Sequence, residues 1–290
     1  MNWNRLGVVD LHLDRDVGGT ARFLNPLAPY WVEGSRVILD LSGCTFLTAE
    51  GAAILAAFVL QRQERGYQTR IDWDTVTSDI RRQLGRWELS RLFGATNHPW
   101  KGNAIPLFHQ KQLDGAAVEQ YICSVIRAGR NMPPMTPELV KETNQSLCEL
   151  FVNIFEHASS PCGGIAIGQF YPKIKRVQIC VCDLGVGLAK KVQRSGIALS
   201  CCGSAIQWAL EEGHSTKSGL GGLGLYVLRE FVKVNEGSLR ILANTGYYSQ
   251  TGANETAQSL QACFPGTLIQ IGFLVRSDEV YTIQRDEDRK

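Results

Sequence analysis

The feature that most constrains this chain is a line of three polar residues followed by two glycine boxes. Glu149, Asn153 and His157 stand four apart, a spacing that stacks them along one face of a helix. The segment Glu138 to Ala158 reads as that helix, with Leu147, Leu150, Phe151 and Ile154 on another face to pack a core. Thr136 is placed to cap it, with Pro137 at its first position. Next, Lys175 to Cys182 alternates, with Val177, Ile179 and Val181 on one side, which is the period of a half-buried strand. That strand ends in Asp183-Leu-Gly185-Val-Gly187, which sets one carboxylate beside a sterically open turn. The run Gly219-Leu-Gly221-Gly222-Leu223-Gly224-Leu225 then opens a second helix through Tyr226, Leu228 and Phe231 to about Val234.

Each box has a chemical and a plain reading. A carboxylate and an amide one turn apart suit two jobs. Glu149 is placed to take a proton from a water or hydroxyl, and Asn153 to offer a neutral oxygen to Mg²⁺, which prefers oxygen ligands and bridges to phosphates. Alone, the helix reads equally as amphipathic with a solvated polar edge. Asp183 is suited to accept a hydrogen bond from an exocyclic amine such as that of adenine. The same residues also make a plain strand-to-helix turn. Glycines before a helix N-terminus let backbone N–H groups and the helix dipole approach phosphate oxygens. Gly219, Gly221 and Gly224 also fit the dinucleotide fingerprint G-x-G-x-x-G, but that fingerprint needs a strand before it. Here Glu211 to Ser218 is polar instead. No G-x-x-x-x-G-K-[ST] occurs, which excludes a P-loop.

In this order and spacing, with a closing strand Pro265-Gly266-Thr267 to Phe273, the boxes resemble the ATP-binding domain of the GHKL superfamily. That domain, the Bergerat fold, is shared by gyrase, the heat-shock chaperone, histidine kinases and the mismatch-repair ATPase. The resemblance implies an α/β sandwich, with helices on a mixed sheet, over residues 105–276. It implies ATP and Mg²⁺ as cofactors. It casts Glu149 as general base, Asn153 as the metal ligand, and Asp183 as the adenine reader with Gly185 and Gly187 shaping the turn. Gly222 and Gly224 become phosphate-loop glycines. His214 to Gly221 becomes the ATP lid, with Lys217 as a phosphate contact. His157, Thr216, Gly219, Gly221, Leu223, Leu225 and Thr267 complete the implied nucleotide site. Leu220 departs from the pattern, which has glycine at that position, and Gly219 is the substitute beside it.

The first 95 residues read separately. Arg36 to Leu41 reads as a buried strand and Ser42 to Leu47 as a turn. Thr48 reads as a helix N-cap with Glu50 in the first turn, where a carboxylate complements the dipole. Ala49 to Arg65 is an apolar helix built on Ala52, Ile54, Leu55, Ala56, Phe58 and Val59. Gln68 to Trp73 reads as a strand, and Ser78 to Phe93 as a further amphipathic segment. Leu39-Asp-Leu-Ser-Gly43 with Phe46-Leu-Thr-Ala-Glu-Gly51 resembles the STAS domain of anti-sigma-factor antagonists. In that family a serine at the helix start accepts phosphate from a partner kinase. The matching position here is Ala49, whose methyl group cannot. The unit is therefore expected to be a docking or homodimerising module. Thr48 is disfavoured as a displaced acceptor, because a cap hydroxyl is already engaged.

Composition fits two units. The chain has 290 residues and 44% apolar content, a length that favours about two domains. The divisions read 1–95, a Pro/Gly linker at 96–104, 105–276, and a charged tail at 277–290. Arg130 to Pro137 reads as a break between helices and Tyr247 to Ala257 as a polar loop. The net charge of +2 is too balanced to argue for nucleic acid. The longest apolar run, Ala52 to Leu60, is too short to span a bilayer. No signal-peptide core follows Met1, and nine cysteines lack zinc spacing. A cytoplasmic protein with reduced thiols is expected. The resemblances point to a Mg-ATP-dependent regulator, an ATPase or an anti-sigma-type serine/threonine kinase acting on a protein partner of sigma-factor or STAS type. The alternatives are a non-catalytic ATP-gated scaffold and an oxidoreductase using Gly219 to Gly224.

Overall fold

Two sheets of opposite character organise the molecule, with one buried helix between them. The computed structural model describes residues 3–10, 17–95, 102–127, 135–157, 160–197, 199–211, 213–214 and 223–275. The N-terminal unit contains β1 (Trp3–Gly7), α1 (Val17–Leu24), β2 (Arg36–Asp40), α2 (Ala49–Glu64), β3 (Thr69–Ile71) and α3 (Ser78–Arg86). Its three strands pair in parallel in the order β1-β2-β3. Parallel neighbours need a crossover, and α2 supplies the one from β2 to β3. Thr48 caps α2 as expected, its Oγ1 accepting from Gly51 N–H at 3.1 Å.

Helix α2 is buried on every side from Ala49 to Arg62. A helix that is apolar all round must be enclosed, and α2 is enclosed by the second sheet. That sheet contains β4 (Ala104–Gln110), β5 (Gly164–Tyr171), β6 (Arg176–Asp183), β7 (Ser238–Thr251) and β8 (Asn254–Leu274), in the order β4-β5-β6-β8-β7. Alanines 49, 52, 53, 56 and 57 let α2 lie close on β5 and β6. Arg62, fully buried near its end, donates to the carbonyls of Tyr30 (2.6 Å), Glu33 (2.9 Å) and Ser35 and so pins the loop that feeds β2. The opposite face of the sheet carries α4 (Gly115–Arg127), α5 (Pro137–His157), α6 (Leu188–Arg194), α7 (Cys202–Ala209) and α8 (Leu223–Val234).

Two apolar cores follow from the two-residue period of the strands. Ile165, Ile167, Cys180, Cys182, Leu242 and Leu268 point towards the N-terminal unit and join its core. Val177, Ile179, Val181, Ile241, Ile269 and Ile271 point towards the helices. The first core is thus shared across the boundary placed at residues 96–104. Trp31 shows this directly, packing edge-on to Phe58 of α2 and to Phe264 of β8, with ring centroids 5.1 and 5.8 Å apart. Hydrogen bonds also cross the boundary, from Trp87 Nε1 to Gly168 O (2.7 Å) and from Gln83 Nε2 to Gln169 Oε1 (2.8 Å).

Three expectations change. The second sheet is not mixed, since each of its pairings is antiparallel. Strand β6 is buried on both faces, not one, because α2 covers the side that would otherwise meet water. Tyr247 to Ala257 is not a loop but the tip of the β7–β8 hairpin, turning at Gly252-Ala253. Tyr247, Tyr248 and Gln250 are buried there. The amphipathic segment Ser78 to Phe93 forms α3 and then, past Glu88 with its φ of +60°, a 3₁₀ turn over Leu89–Phe93. The α/β character, the crossover helix and the strands at Arg36, Gln68 and Lys175 agree with the sequence. All nine cysteines are free thiols. Among the described residues no helix is long and apolar enough to cross a membrane.

Candidate functional site

The site is built at one end of the antiparallel sheet, on its helix-bearing face. Asp183 is the last residue of β6. It pairs across the sheet with Gly164 of β5 and Thr267 of β8, and Thr267 pairs with Ala243 of β7. The parity that sends Val177, Ile179 and Val181 towards the helices sends Asp183 the same way. Helix α5 enters β5 through the short segment 158–163, so its C-terminal end lies at this edge. Ser160 ties the two, its Oγ accepting from Leu184 N–H (3.2 Å) and donating to Gly163 O (2.9 Å). Helix α8 reaches β7 through the tight turn Asn235–Gly237 and therefore runs back along it. Its N-terminal end also points to the Asp183 edge, and α8 packs beside α5.

Helix α5 begins at Pro137, and Thr136 Oγ1 accepts from Leu139 N–H at 3.4 Å, as its cap sequence predicts. Leu147, Leu150 and Phe151 are buried, with Thr143 and Ser146 beside them. Glu149 is half-buried and Asn153 exposed, so this polar line lies on the rim of the packed face. His157 is the last residue of the helix, and its side chain lies outside the description. Leu223, Gly224 and Leu225 form the first turn of α8, with Leu225 half-buried. Thr216, Lys217, Gly219, Gly221 and Gly222, and with them the lid expected over His214 to Gly221, lie outside the described residues except His214. That ring stacks on Trp208 at 4.6 Å.

The turn after Asp183 is the best-defined part. Gly185 N–H donates to Asp183 Oδ1 at 2.7 Å, an Asx turn. Gly187 has φ +84°, and a Cβ there would lie 2.5 Å from Asn244 Oδ1 and 2.7 Å from Gly266 O. Gly266 is required for a related reason, because its own Cβ would collide with Asp183 O. Thr267 Oγ1 accepts from Leu188 N–H at 2.8 Å. Sequence reasoning named Asp183, Gly185, Gly187 and Thr267, and the structure brings these four together. It missed Ser160 and Asn244. Ser160 sits in a Ser-Ser-Pro stretch with no periodic signal, and Asn244 lies inside a strand where an asparagine reads as surface. Among the described residues no cluster of three His, Cys, Asp or Glu is placed to hold a metal ion.

Asp183 is 4% exposed. Burial pushes its carboxyl up from 3.8 to about 6, against the pull of hydrogen bonds from Gly185 and Thr267. A native value above the unfolded one means that the folded chain holds the extra proton between about pH 4 and 6. Stability therefore falls as pH rises through that window, by up to about 3 kcal/mol, and the penalty persists above it. Asp183→Asn removes this titration. The stability of the variant relative to wild type is expected to rise between pH 4 and 7 in urea unfolding. A difference independent of pH would show that the carboxylate is not desolvated. Compared with known protein families and with curated proteins, the chain matches none.

Proposed function

We propose that this chain binds Mg-ATP at the Asp183 edge and acts as a regulatory ATPase or anti-sigma-type serine/threonine kinase on a protein partner. The observation that carries this reading is Asp183. It is a desolvated carboxylate at a strand end, held in a hydrogen-bonded turn between the ends of α5 and α8. An ionised carboxylate accepts about four hydrogen bonds, so Asp183 retains capacity for an exocyclic amine after Gly185 and Thr267 are satisfied. An amine donor also relieves the cost of the buried charge. The glycines at 187 and 266 keep the turn free of side chains. A site with Asn153 as its one protein ligand for Mg²⁺ fits a metal held mainly by phosphates and water. The bound nucleotide supplies the transferable phosphoryl group, and Glu149 supplies the base. The overlap with the GHKL superfamily is a resemblance of motifs, and the STAS-like start of the chain makes a STAS-type or sigma-factor-type protein the partner class.

Calorimetry with ATP, GTP and NAD tests the reading. ATP is expected to bind with Mg²⁺ and to raise the melting temperature by mass action. GTP is expected to bind more weakly, because its six-position carbonyl meets the Asp183 carboxylate with an acceptor. Asp183→Asn is expected to weaken ATP binding and narrow that gap. Equal affinity for ATP and GTP in the wild type removes the role given to Asp183. Tight NAD binding favours a dinucleotide enzyme instead.

A further inference from the structure

We propose that Asn244 is a positioning residue for the nucleotide base, bracing the Gly185–Gly187 turn against which the base lies. The inference rests on the ATP reading above and adds a residue and a role to it. Asn244 sits on β7 at a register break. Ala243 pairs with Thr267 and Asn244 with Phe264, so Pro265 and Gly266 bulge out of β8 opposite it. Bulges re-aim side chains beside functional sites. Here the bulge presses Gly266 against the backbone of Asp183 and Leu184. Asn244 itself has φ +57°, the left-handed region that asparagine tolerates better than other side chains.

The side chain is 4% exposed, and both ends of its amide are engaged. Nδ2 donates to Val186 O at 3.1 Å, and Oδ1 accepts from Lys190 N–H at 3.1 Å. One amide thus closes the path from Val186 to Lys190, which is the turn following Gly185 and the first turn of α6. Gly187 packs directly on that amide, so a side chain at 187 and the asparagine at 244 exclude each other. Thr267 holds the same path from the other side through Leu188 N–H. Asp183 and Thr267 belong to the regular ladder between β6 and β8 and stay in place without help. The turn after Asp183 does not, and Asn244 is its brace from β7. A residue kept in a sparsely populated backbone state persists where the surroundings over-determine it, and such residues cluster at ligand clamps.

The test uses Asn244→Gly, which keeps the backbone conformation without strain and removes both side-chain bonds. ATP and GTP dissociation constants are measured for wild type and variant, together with hydrogen exchange at the Lys190 amide. The variant is expected to exchange faster at Lys190 and to lose about ten-fold in its preference for ATP over GTP, the loss expected from one or two polar contacts. General destabilisation weakens both nucleotides together and leaves the preference unchanged. An unchanged preference, or an unchanged Lys190 exchange, overturns the inference while leaving the ATP reading intact. A wild type that binds no nucleotide overturns both. Should Asn244→Gly fail to fold, Asn244→Asp decides. It keeps an acceptor for Lys190 and loses the donor to Val186, so a smaller loss of preference is expected, and wild-type preference counts against the brace.

Discussion

Glu149→Ala is expected to bind ATP nearly as tightly as wild type while phosphate release, or transfer to a partner, slows by about 10²–10⁴. Asn153 and Glu149 are one turn apart on the rim of the packed face of α5, the first exposed and the second half-buried. In the proposed reading, Asn153 as metal ligand would fix where the phosphates lie relative to Glu149. Removing a group that acts only in the transition state lowers turnover and leaves ground-state binding alone. Glu149 carries no packing load comparable to Leu150 or Phe151, which are 4% and 1% exposed. The variant is therefore expected to melt close to wild type. Single-turnover measurements with γ-labelled ATP read the effect. If the variant loses ATP binding outright, Glu149 is structural and the catalytic role fails. If the wild type turns over nothing with any STAS-type or sigma-type partner offered, the non-catalytic scaffold becomes the better reading.

Local pattern made parts of this molecule legible. Thr48 and Thr136 cap helices where their sequences place them, because a cap is a contact within four residues. The alternation of Val177, Ile179 and Val181 marked β6, and Asp183-x-Gly-x-Gly marked its end. Pattern could not show what covers the other side of β6. Cys180 and Cys182 look like ordinary solvent-facing positions of a half-buried strand, and only the packing of α2 buries them. The hairpin tip at Tyr247 to Ala257 was hidden for the complementary reason. Its polar residues suit a loop, and the pairing that makes it a strand is supplied by β8. Asn244 was illegible because its partners, Val186 and Lys190, lie over fifty residues away in sequence. The turn it braces was readable, but the brace depends on the bulge at Pro265-Gly266.

The surface joining the two units yields the second large effect. Glu50, in the first turn of α2, is 2% exposed, and its Oε2 accepts from Arg240 Nη1 of β7 at 3.0 Å. Arg240 is 9% exposed as a side chain. Glu50 Oε1 is buried with no hydrogen-bond partner among the described residues. The neighbouring Ala49 donates its N–H to Tyr171 Oη at 3.0 Å. The start of α2 is therefore clamped to the second sheet at two successive residues. Desolvating two charges costs more than a surface pair returns, so such a pair adds little net stability over an apolar one. Removing Arg240 is different, since it strands the Glu50 carboxylate inside. Arg240→Met alone is expected to cost about 3–5 kcal/mol in urea unfolding. The double variant with Glu50→Met is expected to recover most of that loss, because no stranded carboxylate then remains. Non-additivity of this size is the signature of direct coupling. A cost below about 1 kcal/mol for Arg240→Met, the range of exposed pairs, would mean that water reaches the pair and that the clamp on α2 is loose. A Glu50→Met cost that simply adds to that of Arg240→Met would assign the loss to packing of the long side chains instead.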